Sequence, residues 1–275
     1  MRKKKISFSQ IVLIVFLAFM AFVTLFPFYL MIATSTKDQI GFIQNFWGVQ
    51  LPVYVDNYVK AWGVIKGYTF NSIKITALTV AGVLIVSVMA GYAFAKLKFK
   101  GKNFLFYLMM MFQMIPISLI LIPMLINVNA LGMNDTHSGV ILPQIATGCI
   151  MPIMLARGYY QSIPDAVFEA ARIDGAGELS IIKNIVIPMS KPVLGSIALF
   201  TFFGSFNSFM WPYMVLSSDE LRTIPIGLNR LVGQYGTNFG FQMASYAIVS
   251  IPLMLLIVFT MRFYVEGMNL GSVKE

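Results

Sequence analysis

The chain has 275 residues, 58% of them hydrophobic and only 11% charged, where a soluble domain carries roughly 25% charged residues. Its formal net charge of +9 would suit nucleic acid, yet the basic residues sit beside the ends of apolar runs rather than on a polar domain, so a nucleic-acid partner is not expected. Six apolar runs, each near the ~20 residues that cross a bilayer as a helix, use up most of the length and exclude a sizeable soluble domain.

At the N-terminus, Arg2, Lys3, Lys4 and Lys5 precede an apolar run over residues 11–33. That run is too long for the apolar core of a cleaved signal, and no small-x-small site follows it, so it reads as a retained membrane helix. Apolar continuity predicts further spans over residues 72–95, 104–126, 139–156, 193–216 and 244–264. The expected fold class is therefore an all-α integral membrane protein of six transmembrane helices. With the N-terminus inside, 14 of the 20 Lys and Arg residues fall on the cytoplasmic side, among them Lys96, Lys98, Lys100, Lys102, Arg157 and Arg172. This bias predicts both termini in the cytoplasm. The longest outer segments, 34–71 and 217–242, carry Trp47, Tyr54, Tyr58, Trp62, Tyr68 and Tyr235, suited to a lipid interface or to docking another protein. Pro27, Pro116, Pro123, Pro143, Pro152, Pro212 and Pro252 lie within or near the ends of spans, where each removes a backbone donor and can kink its helix.

The spans lack what several function classes require. Spans one, three, four and five have no Asp, Glu, Lys or Arg in their middles, and Arg262 falls near the cytoplasmic end of span six. An ion-coupled carrier or proton pump would need a relay there. Gly101-Lys102 lacks the earlier glycine of a phosphate loop, so ATP hydrolysis by this chain is not expected. Cys149 and His137 are each the only residue of their kind. With no Ser/His/Asp set and no metal-ligand cluster, no catalytic or metal site is predicted and an integral-membrane enzyme is disfavoured.

The cytoplasmic segment 157–190 is unlike an ordinary turn. Ser162, Pro164 and Asp165 give a helix start: a capping hydroxyl, a first-turn proline and an acid at the positive end of the dipole. The helix should run to Ile173 and break at Gly175-Ala176-Gly177. A second short helix should follow from Glu178 to about Ile185 and stop before Pro188. Val167, Ala170, Ala171 and Asp174 share one face by helical spacing, the alanines allowing close approach of another surface, with Glu169 beside it. On composition alone this could equally be an amphipathic connector resting on headgroups.

The run Glu169-Ala170-Ala171-x-x-x-Gly175, followed by Ile185-x-Ile187-Pro188, resembles the EAA loop of ATP-binding-cassette importer permeases, with Ile187 where the usual pattern has Leu. Asp174-Gly175-Ala176 is similar to the carbohydrate-uptake, MalG-like branch of that family. The likeness extends over residues 70–264 as a permease domain, after an N-terminal part (1–69) of tail, first helix and outer loop. A cytoplasmic tail follows at 265–275; its Met268-Asn269-Leu270 departs from the usual tail.

The resemblance implies the type I importer permease fold, a second permease subunit, two ATPase subunits that hold ATP and Mg, an extracytoplasmic solute-binding protein and a sugar substrate. It places the chain in a bacterial cell membrane. It also implies that Glu169 is the polar anchor to an ATPase, Ala170 and Ala171 the packed contact, and Gly175 the turn beside Asp174. Ile185, Ile187 and Pro188 would tie the second helix to the membrane domain. A polyol, glycerol phosphate or other solute stays open as the substrate, although a phosphorylated one would favour a basic cavity residue. For the substrate path, Gln113, Gln144, Thr147, Ser205, Asn207, Ser208 and Trp211 offer amide, hydroxyl and aromatic groups near mid-membrane. The same residues could instead hydrogen-bond between helices and hold the bundle together. Gly233, Gln234, Tyr235 and Gly236 resemble a loop that reaches into the binding protein, and would equally suit a solvated turn.

Overall fold

The computed structural model describes residues 7–234, 236 and 238–272, and all regular structure among them is helical. In chain order the helices are α1 (Phe8–Ser35), α2 (Gln39–Gln44), α3 (Asp56–Lys96), α4 (Lys102–Gln113), α5 (Ile117–Ala130), α6 (His137–Gly148), α7 (Ile150–Ser162), α8 (Asp165–Ile173) and α9 (Glu178–Ile181). A π-helical turn (Ile182–Val186) leads to α10 (Ile187–Met189), α11 (Lys191–Phe206), α12 (Met210–Val215), α13 (Ile224–Gln234) and α14 (Phe239–Ser272).

α1 begins in a reciprocal cap: Gln10 N–H donates to Ser7 Oγ at 3.4 Å and Ser7 N–H donates to Gln10 Oε1 at 2.9 Å. α1 and α3 are each long and apolar enough to cross a membrane. The next three predicted spans are broken, while the sixth lies within α14. The third is two helices, α4 and α5, that meet at 103°. Pro116 caps α5 with φ −57° and ψ 129°. A residue preceding proline is pushed out of the helical region, so α4 cannot continue through Ile115. The fourth bends by 44° between α6 and α7, where Pro152 offers no N–H to the Gly148 carbonyl. In the fifth, α11 stops at Phe206, the Asn207 side chain turns back to donate to the Phe203 carbonyl at 3.1 Å, and α12 starts at Met210.

The chain divides into two compact units. In the first, Met1–Lys66 with Leu228–Met254, the core gathers Ala61, Ile65, Leu231, Phe241 and Ala244. The buried Lys37 ammonium donates to the carbonyls of Asn45 and Phe46 at 2.6 and 2.9 Å, tying down the segment after α1. In the second, Gly67–Gly227 with Leu255–Glu275, there are two cores. One joins α3, α5, α6 and α12 through Ile75, Val128, Val140, Ile141, Trp211 and Val215. The other carries the segment 157–190.

Candidate functional site

α8 is a nine-residue helix fixed at both ends. Ser162, predicted as its cap, instead closes α7, with its hydroxyl donating back to the Tyr159 carbonyl at 2.7 Å. The capping position falls to Pro164, whose extended backbone accepts Val167 N–H at 3.2 Å. Asp165 stands at the positive end of the dipole. At the other end the turn is made as predicted: Gly175 has φ +79°. Gly175 N–H reaches the Arg172 carbonyl at 3.1 Å and Ala176 N–H reaches the Ala171 carbonyl at 2.9 Å. These two bonds form a Schellman closure that requires a left-handed residue between them.

The helix does not present the face predicted for it. Phe168, only 1% exposed, is driven inward, and Val167 and Ala171 pack beside it. Glu169, Ala170 and Asp174 face outward. Val167 and Ala171 are thus separated from Ala170 and Asp174, because the largest apolar side chain, not the alanines, decides which side is buried. On either side of the turn, Ile173 and Leu179 stand 86% and 75% exposed at the tip.

The second helix runs through Pro188 instead of stopping before it. α9 widens into the π turn Ile182–Val186, and α10 contains Pro188. A π turn moves the carbonyl four residues back away from the proline ring, and so removes the clash that would break a helix. Ile181 and Val186 are the fully buried anchors here, and Ile185 packs against the same core, whereas Ile187 and Pro188 are exposed. Neither Ile181 nor Val186 stood out in the sequence, although both are large aliphatic residues flanking the recognised pattern.

Phe168, Ile181 and Val186 share one core with Val83, Val88 and Tyr92 of α3, Tyr160 of α7 and Ile197 of α11. Two polar clamps reinforce it. Lys96, at the end of α3, donates to the Ile163 carbonyl and to Asp165 Oδ1, each at 2.6 Å, and lies 4.9 Å over the Phe168 ring. The hydrogen bond from Lys96 holds the Asp165 carboxyl below its usual range. In the second clamp, the Tyr92 hydroxyl donates to Glu178 Oε2 while Arg172 donates to Glu178 Oε1 at 3.1 Å and to the Tyr92 oxygen at 3.2 Å. The Tyr92 hydroxyl and then Arg172 hold Glu178 below the ordinary 4.5.

A carboxylate with a depressed folded-state value contributes stability that is complete above its unfolded value and is lost as pH falls through the folded one. The α8–α9 corner should therefore be insensitive to pH from neutrality down to 4.5 and loosen only below it. Amide exchange at residues 172–178, corrected for intrinsic rates, measures this. Tyr92→Phe should bring the folded-state value back toward the ordinary one and so shrink the change in exchange seen below pH 4.5.

Within the membrane part of the same unit is a cavity of about 330 Å³. Ser208 and Trp211 line it, together with Thr79, Gln144, Thr147, Phe200 and Ser205. Gln113 lies apart, in a groove with Phe112, Pro116, Ile120 and Ile150. Asn207 is not on the cavity wall and spends its amide on its own helix. Trp211 is buried, with Nε1 donating to the Val140 carbonyl at 3.3 Å, so it serves the core more than the cavity. In the segment 217–242, Gly233 and Gln234 end α13 and Gly236 lies in an exposed turn, while Tyr235 falls outside the described residues.

Residues 82–266 match the family model described as binding-protein-dependent transport system inner membrane component. The chain is similar to the arabinooligosaccharides transport system permease protein AraQ of Halalkalibacterium halodurans, 31% identical over 282 residues and covering 100% of each chain. It is also similar to the trehalose/maltose transport system permease protein MalG of Thermococcus litoralis, 29% identical with 97% of each chain covered. Among solved structures, a chain of a bacterial ABC transporter involved in the import of the acidic polysaccharide alginate superposes with a TM-score of 0.83. That likeness covers 96% of this chain and 99% of the other at 22% identity, and shows a shared fold.

Proposed function

Because the chain belongs to the family of binding-protein-dependent transport system inner membrane components, we propose that it is the permease subunit of an ATP-driven sugar importer. In this reading it crosses a bacterial cell membrane six times with both termini in the cytoplasm, and the permease domain occupies residues 70–264. It forms the translocation path with a second permease subunit and receives a sugar or oligosaccharide from an extracytoplasmic binding protein. ATP and Mg belong to two ATPase subunits that dock on the EAA segment. The transport systems named for its relatives carry oligosaccharides and disaccharides, which supports a saccharide as the solute.

The observation that carries the coupling role is the division of labour on α8. Glu169 and Ala170 are presented outward on a helix whose other side is locked by Phe168 and by the Lys96 and Arg172 clamps into the core of the membrane helices. A short helix held in this way transmits a displacement, where a loose loop would absorb it. Glu169 would pair with a basic group of the ATPase, Ala170 would permit close approach, and Gly175 with Asp174 would set the turn. Ile185 would hold the second helix to the membrane domain.

Glu169→Lys tests the assignment. As an exposed substitution it should leave folding within about 0.5 kcal/mol. A like charge set against the partner costs several kcal/mol, and each ~1.4 kcal/mol is a factor of ten. Uptake should therefore fall by about tenfold or more at an unchanged amount in the membrane, with ATP hydrolysis no longer stimulated by loaded binding protein. Full uptake in this variant would remove the coupling role.

A further inference from the structure

We infer that the segment 39–55 is an anchor in the outer lipid leaflet, folded back along α1 so that Ile43, Trp47 and Val49 meet the boundary between headgroups and acyl chains. The inference takes from the importer reading only the bilayer and its orientation, and is independent of the solute and of the ATPases. The sequence alone places this segment among the outer loops. In the structure it returns to the helix it has just left. The Trp47 ring stacks on Phe26 at 6.1 Å, and the Tyr29 hydroxyl donates to the Trp47 carbonyl at 2.9 Å.

The depth follows from the length of that helix. α1 has 28 residues, about 42 Å at ~1.5 Å per residue, which matches the ~40–45 Å of a bilayer with its headgroup regions. Its end at Ser35 therefore lies at the outer edge of the headgroups. Phe26 and Tyr29 stand roughly 9–14 Å back from that end at the same rise per residue, where headgroups give way to acyl chains. Trp47 is held at their level. Tryptophan is a residue that this boundary favours.

The chemistry of the segment fits lipid and not water. No charged residue occurs from position 39 through 55, yet Ile43 is 76% exposed, and Ile40, Val49 and Val53 also face outward. The two charges just before it are turned inward. Lys37 is fully buried on the carbonyls of Asn45 and Phe46, and Asp38 Oδ1 accepts Gly41 N–H at 2.7 Å. With Trp47, three successive carbonyls are engaged, and Gly48 N–H donates to Asn45 Oδ1 at 2.8 Å. Tyr54 N–H closes the loop on the Thr36 carbonyl at 2.9 Å. Irregular backbone approaches lipid only where its polar groups are satisfied from within. Here the backbone is satisfied inward while apolar side chains point out, which meets that condition. The patch is also continuous with α1, whose apolar side chains at positions 11–17 are exposed, so the lipid around α1 reaches the segment without a break.

The test uses the full chain with its partner subunits, reconstituted in liposomes. Cys149, the single cysteine, is replaced in Cys149→Ser so that one introduced cysteine carries a nitroxide. Ile43→Cys and, independently, Val49→Cys then report collisions with oxygen, which concentrates in lipid, and with a nickel chelate, which stays in water. Oxygen should exceed nickel several-fold at both positions. Adding Trp47→Ala should free the segment from α1 and raise nickel collisions several-fold. Two label sites keep the test intact where one substitution disturbs the fold. Nickel in excess would put the segment in water, and few collisions with either reagent would put another protein over it; each result overturns the anchor. Unchanged collisions in Trp47→Ala would overturn the clasp on α1 as what holds the segment down. Solute uptake by the same liposomes judges the importer reading separately, since its failure would leave the collision result standing.

Discussion

Gly175→Pro should abolish coupled uptake, whereas Gly175→Ala should leave most of it. The difference follows from two properties of the turn. Gly175 sits at φ +79° and donates its N–H to the Arg172 carbonyl. Proline fixes φ near −65° and has no N–H, so the turn loses its handedness and one of its two closing bonds, at a cost of roughly 3 kcal/mol or more. Alanine keeps the donor and pays only for the left-handed conformation, about 1–2 kcal/mol. A Cβ at this position would meet nothing within 4 Å, so no steric term is added. In the proline variant the chain leaves α8 in a new direction. Glu178 is then drawn away from Arg172 and Tyr92, and the corner comes apart as a unit. The measurement is uptake beside binding-protein-stimulated ATP hydrolysis, at matched amounts of protein in the membrane. Normal coupling with proline at 175 would mean that the turn transmits nothing.

The turn at Gly175 was legible in the sequence because glycine there answers a backbone demand that few other residues meet. The face of α8 was misread for a related reason. Spacing places Val167, Ala170, Ala171 and Asp174 near one another, but it does not say which side of a short helix is buried. Burial of Phe168 settled that, since a phenylalanine gains more than an alanine from leaving water. Pro188 was read as a stop because proline opposes a regular α-helix, and the π turn before it is an irregularity that single-residue preferences do not encode. Apolar continuity located the long apolar helical segments but not their direction. Both sides of Pro116 are apolar, yet the chain bends by 103° between α4 and α5. In the cavity, residue type alone put Trp211 and Asn207 on equal terms with Gln144. Hydrogen-bond accounting separates them: Trp211 Nε1 and Asn207 Nδ2 each have an acceptor, whereas Gln144 is bonded through Oε1 and its Nε2 has no partner.

Phe168→Ala should uncouple the transporter as thoroughly as a change on the outward face, but by a different route. Its ring lies 5.9 Å from the Tyr92 ring, with the Lys96 ammonium 4.9 Å above it. Truncation of a buried phenylalanine to alanine costs about 3–5 kcal/mol through lost burial and the cavity left behind. In a nine-residue helix, too short to be stable alone, that loss falls on the attachment of α8 to the membrane helices. Lys96 loses the ring beneath it, and its pairing with the exposed Asp165 is too weak to hold the helix alone. Limited digestion with an arginine-specific protease, which does not cut at the lysine that Glu169→Lys introduces, distinguishes the two routes. Cleavage after Arg172 should accelerate in Phe168→Ala and stay at the wild-type rate in Glu169→Lys, although uptake is lost in both. Phe168→Leu, which keeps much of the buried volume, should restore a large part of both protection and uptake. If Phe168→Ala digests and transports as the wild type does, the inward anchor is dispensable and force must enter the membrane helices elsewhere. The other outcome makes the grip of α8 on α3 as necessary to coupling as the ATPase contact proposed for its outward face.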